Sequence, residues 1–79
     1  MTRVAVPEKL TKVTGTFLRE TPKAFLCEVE TLNNLPVEPV KEHWFPFSQV
    51  REFSVTDTPD GHVATFLASE WILKAKDII

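Results

Sequence analysis

The stretch Arg51-Glu52-Phe53-Ser54-Val55-Thr56-Asp57-Thr58-Pro59-Asp60-Gly61-His62-Val63-Ala64-Thr65-Phe66-Leu67-Ala68 reads as two strands around a turn. Pro59 pre-sets φ for the first central turn position, and Gly61 supplies a backbone conformation open to positive φ as the chain reverses. On either side apolar and polar residues alternate with period two, and Phe53 and Val55 are expected to face inward. This hairpin makes the chain a β protein and sets the frame for its neighbours.

Upstream, residues 11–19 are rich in Thr, Val and Phe, the composition of a strand, and Gly15 within them implies a bulge or a close backbone approach. Thr21-Pro22-Lys23 is a tight turn. Residues 24–30 return as a second strand, with Phe25, Cys27 and Val29 on one face and Ala24, Leu26, Glu28 and Glu30 on the other. Residues 31–39 carry two asparagines and two prolines and are expected to be the longest loop, neither a central strand nor a helix interior. Residues 40–47 alternate again until Pro46 ends or edges the strand, and Ser48-Gln49-Val50 is expected to form one tight helical turn.

Ser69 is a good N-cap and Glu70 suits the positive end of a helix, so a short helix is expected over residues 69–77. Trp71, Ile72, Ala75, Ile78 and Ile79 form its apolar stripe, with Leu73 opposite, and Trp71 is expected to plug the sheet. The expected organisation is one domain: an N-terminal arm (residues 1–10), an antiparallel sheet or barrel (11–68) and a C-terminal helix (69–79). Mainly β with one C-terminal α-helix, it reads as a small, partly open antiparallel barrel or curled sheet. An OB-like barrel normally places its helix between the third and fourth strands, so the terminal helix favours the SH3-like alternative.

The 79 residues carry a net charge of −2, unevenly spread. Residues 1–19 hold Arg3, Lys9, Lys12 and Arg19 against Glu8, whereas residues 20–60 carry a net −5. Nucleic-acid binders draw most of their affinity from clustered cations, so phosphate binding is disfavoured. The single cysteine excludes an internal disulfide and suits a reducing, cytoplasmic setting. No apolar run approaches the ~20 residues that cross a bilayer, and residues 1–10 lack the pattern of a signal peptide.

Cys27, His43 and His62 are too widely spaced for a zinc motif, so no metal or cofactor is expected. Cys27 reads as a small core residue. His43 beside Glu42, and His62 near Asp57 and Asp60, supply the residue types of a nucleophilic site. With two glycines, no phosphate loop and little room for a cleft, the chain is read as no enzyme.

The densest feature is His43-Trp44-Phe45-Pro46-Phe47. In a strand, Trp44 points away from Phe45 and Phe47, so one set faces the surface or is covered. With Glu28, Glu30, Glu38 and Glu42, these aromatics make a candidate protein-binding surface for a basic partner. The alternative is a single-stranded nucleic-acid barrel that stacks bases on Trp44, Phe45 or Phe47, with Arg3, Lys9, Lys12 and Arg19 tracking phosphates.

Three segments, Glu20-Thr21-Pro22-Lys23-Ala24-Phe25-Leu26, Trp44-Phe45-Pro46-Phe47-Ser48-Gln49-Val50 and Ser69-Glu70-Trp71-Ile72-Leu73-Lys74-Ala75-Lys76, resemble a loose class of small phage and prophage proteins. The chain departs from that class in its longer residue 31–39 segment and in Phe47, where a lysine is common. The class lends no catalytic role to any residue. It implies a compact β module from a mobile element that acts by stoichiometric binding to host machinery, including inhibition of CRISPR effectors or other defences.

Overall fold

The computed structural model describes residues 10–79. The expected N-terminal arm, with Arg3 and Lys9, lies outside them. Five antiparallel strands, β1 (Leu10–Glu20), β2 (Ala24–Leu32), β3 (Leu35–Pro46), β4 (Val50–Thr58) and β5 (Gly61–Ser69), form one sheet in the order β3-β2-β1-β5-β4. A single 3-10 turn (Phe47–Gln49) joins β3 to β4, and a short helix, α1 (Glu70–Ala75), follows β5. Every strand pairs with a chain neighbour except at the β1–β5 join, and the sheet stays open between β3 and β4.

The sheet is strongly curled. Phe25 on β2 and Phe53 on β4 are three strand spacings apart, about 14 Å in a flat sheet. Their ring centroids lie 4.5 Å from each other. Phe45 on β3 and Phe66 on β5 meet at 4.9 Å across the same number of strands. All six phenylalanines (Phe17, Phe25, Phe45, Phe47, Phe53, Phe66) join this network on the concave side, where stacked and edge-on pairs add to area burial. Val13, Cys27, Val29, Ala64 and Ala68 complete the strands' share of the core.

The turns carry local signals. Gly61, at φ +134°, follows the Pro59-Asp60 turn and pairs with Thr58, whose hydroxyl donates to the Gly61 carbonyl at 2.8 Å. Gly15 lies at a register shift between β1 and β2, and a Cβ there would collide with the Glu28 carbonyl oxygen and press on Cys27 Sγ. In the first hairpin the Ala24 amide donates to Thr21 Oγ1 at 3.1 Å.

The expected loop over residues 31–39 is instead a tight hairpin. Asn33 and Asn34 both have positive φ (51° and 67°), the geometry of a two-residue type I′ turn, so β3 starts at Leu35. Asn33 is also tied to β1: its amide donates to the Lys12 carbonyl at 2.8 Å, and the Lys12 amide donates to Asn33 Oδ1 at 3.1 Å. Pro36, Pro39 and Pro46 are tolerated because β3 is an edge strand, where a missing amide need not break a ladder. A register shift opposite Val29 and Thr31 takes up the extra residues 37–40.

The helix also departs from expectation. Trp71 is 71% exposed and plugs nothing, whereas Leu73 is fully enclosed and Ile72 nearly so. The reason is the early stop. Ser69 Oγ accepts from the Ile72 amide at 3.3 Å at the start. After Ala75, Asp77 adopts φ +61°, its amide donates to the Lys74 carbonyl, and the Ile78 amide donates to Leu73 O. This Schellman ending turns Ile78 back onto the core beside Leu73, so a stripe drawn over eleven residues does not apply to a six-residue helix.

Candidate functional site

The β2–β3 register builds the surface around the aromatic segment. Phe25 pairs with Phe45, Leu26 with Trp44, Cys27 with His43 and Glu28 with Glu42. Phe25, Cys27 and Phe45 are fully enclosed, so strand alternation sends Leu26, Trp44, Glu28 and Glu42 to the convex face. Of the three candidate aromatic anchors, only Trp44 lies on that face, 42% exposed. Phe45 is completely buried in the core and Phe47 is half-buried against Phe25 and Phe53, so neither offers a free ring for a partner or a base.

Trp44 does not stand alone. Its register partner Leu26 is 5% exposed, and on the far side of Leu26 the β1 register shift sets Leu18 and Arg19. One row along, Glu42 stands opposite Glu28, which in turn stands opposite Thr16. Glu30 reaches the same Thr16, whose hydroxyl donates to Glu30 Oε2 at 2.6 Å. Like charges directly opposite one another weaken a sheet. Among the described residues neither Glu28 nor Glu42 has an ion-pair partner. Glu38 belongs to the irregular part of β3 near Val37, Pro39 and Ile78, and does not join this group.

The cationic candidates fall apart. Lys12 lies on the convex face of β1 opposite Leu67, and Arg19 lies near the other end of that strand, about 24 Å away along an extended chain. Thr14 and Thr16 separate them, and the carboxylates of β2 lie alongside.

The residues considered for chemistry fall into two separate pairs, Cys27 with His43 and His62 with Asp57. Cys27 and His43 are cross-strand partners on the concave side. Burial, reinforced by the nearby carboxylates of Glu30 and Glu28, pushes the Cys27 thiol up to about 12, so no thiolate nucleophile forms near neutrality. Burial lowers the pKa of His43, and the ammonium groups of Lys76 and Lys41 lower it further. Lys76 also sits over the Phe45 ring, 5.5 Å from its centroid. His62 Nδ1 and Asp57 Oδ1 lie 2.5 Å apart at the exposed end of the β4–β5 hairpin. Among the described residues no group of three or more His, Cys, Asp or Glu side chains is placed to hold a metal ion. Among them also, no helix is long and apolar enough to cross a membrane.

Surface hollows of about 250 and 230 Å³ lie around Ser48, Gln49 and Arg51 and around Lys12, Glu52 and Leu67, away from Trp44. The sequence reading missed Leu26 as the companion of Trp44 and Thr16 as the anchor of Glu30. The signal for Leu26 was available, since it shares a strand face with Glu28 and Glu30. No protein family, characterised protein or solved structure matches this chain.

Proposed function

We propose that the protein is a small binding module that docks on a basic protein surface through the convex face of β2 and β3. Trp44 is its anchor, and Glu28, Glu30 and Glu42 supply its charge. The observation that carries this reading is the direct opposition of Glu28 and Glu42 beside an exposed tryptophan. That arrangement costs the free sheet some stability, and a cationic partner relieves the cost. Aromatic anchors dominate binding energy, while surrounding charge sets partner choice and encounter rate.

The likeness to small phage proteins contributes the rest of the proposal: the partner is a host complex, such as a CRISPR effector or another defence assembly, whose nucleic-acid groove is blocked sterically. Such grooves are rich in Arg and Lys and suit an acidic face. No chemistry is required of the module. Single-strand stacking is the weaker reading, because the enclosed Phe45 removes one platform and Lys12 and Arg19 are separated along an otherwise acidic face.

The test is capture from nuclease-treated host lysate at moderate salt by three tagged proteins: wild type, Trp44→Ala, and Glu28→Lys with Glu42→Lys. The charge reversal keeps a like-charged pair, so it alters the sign of the face with little change in repulsion. A stoichiometric protein complex retained by wild type and lost by both variants is the expected result. Equal capture by all three contradicts the surface assignment. Recovery of oligonucleotides alone, with affinity falling steeply with salt, moves the reading to nucleic acid.

A further inference from the structure

We infer that the side chain received by this face is an arginine, stacked on Trp44 with its guanidinium turned to Glu42 and Glu28; the inference rests on the docking reading above and names its partner's chemistry. The four residues form a tile. Trp44 and Glu42 are two residues apart on one strand face, about 7 Å. Leu26 and Glu28 stand opposite them across the β2–β3 pair, at Cβ separations of about 5 Å. An indole and two carboxylates thus lie within the span of one extended side chain.

The arrangement discriminates between the two common cations. A guanidinium is planar, weakly hydrated and forked, so it can lie flat on an indole while its edge donates to carboxylates. A lysine ammonium is a compact, strongly hydrated point charge, which satisfies the carboxylates but gains less from the ring. Leu26, almost fully buried, offers no polar group to compete for the guanidinium. Of the described cations placed on this face, Arg19 stands on the far side of Leu26, two strands from Trp44, and Lys12 lies near the other end of β1, so neither fills the tile. Glu30 is drawn toward Thr16, so Glu42 and Glu28 are the carboxylates beside the indole row.

Hexa-arginine and hexa-lysine peptides, equal in length and charge, test this by calorimetric titration at about 150 mM salt, where long-range attraction is screened. Wild type is expected to bind the arginine peptide about two-fold more tightly, a part of the whole exposed cation–π contribution, since lysine keeps some of it. Trp44→Ala, with its fold checked by circular dichroism, is expected to bind the two peptides equally. Glu28→Gln with Glu42→Gln weakens both. Equal wild-type affinities, or a preference that survives Trp44→Ala, overturn the arginine assignment while leaving the docking face intact. Absence of binding to either peptide also overturns it. The docking reading falls separately, if protein capture is unaffected by the face variants.

Discussion

Gly15 and Cys27 show how tightly single residues are held. Gly15 has no room for a methyl group: the obstacle is the Glu28 carbonyl, part of the backbone, with Cys27 Sγ 2.9 Å away. Gly15→Ala is expected to destabilise the fold by ~3 kcal/mol or more, since the β1–β2 pair must part to admit it, and urea unfolding measures this. Cys27 is fully enclosed and its thiol is pushed up from 9.0 to about 12. The folded state therefore favours the neutral thiol. Its stabilising contribution is complete below pH 9.0 and declines as pH rises from there toward 12. Unfolding titrations between pH 8 and 11 should show a falling limb that Cys27→Ala flattens. At pH 8 iodoacetamide is expected to label the thiol only in denaturant; labelling of native protein at the unfolded rate would contradict the enclosed position.

At the scale of elements, the helix and the β2–β3 hairpin divide what could be read in the chain from what could not. The Pro59-Asp60-Gly61 turn acts locally, so the β4–β5 hairpin is legible in the chain, but the bulge between Arg51 and Ser54, with Glu52 at φ +53°, is not, and Val55, expected inward, is 40% exposed. Asn33-Asn34 acts locally too, but its positive-φ turn is masked by the prolines that follow, which edge strands accept and central strands reject. The helix stripe fails because Asp77 ends the helix and redirects Ile78, a consequence of packing that periodicity does not contain. Leu73→Ala is expected to cost about 2–5 kcal/mol, as a deletion in a filled core does. Trp71→Ala is expected to stay within about 0.5 kcal/mol as a surface change. Thermal or urea unfolding of the two variants decides this, and the reverse order would place Trp71 in the core. Strand alternation placed Trp44 opposite Phe45 and Phe47. Which side faced the core depended on the curl that gathers six phenylalanines from different strands.

Across the whole molecule, one curled sheet separates two surfaces of different character. The concave side is filled by phenylalanines and by α1, while the convex side carries Trp44, Leu26 and the opposed Glu28 and Glu42. That opposition was not legible beforehand, because cross-strand register depends on turn lengths and bulges rather than on composition. Glu42→Gln is expected to raise stability by a few tenths of a kcal/mol while weakening attachment to a basic partner, so stability and binding move in opposite directions. The most direct measurement uses Trp71→Phe protein, in which Trp44 is the sole indole, and follows acrylamide quenching with and without the captured partner. Trp44 should be readily quenched in the free protein and protected when the partner is bound. An indole already shielded in the free protein, or equally quenchable in both states, would contradict the docking face.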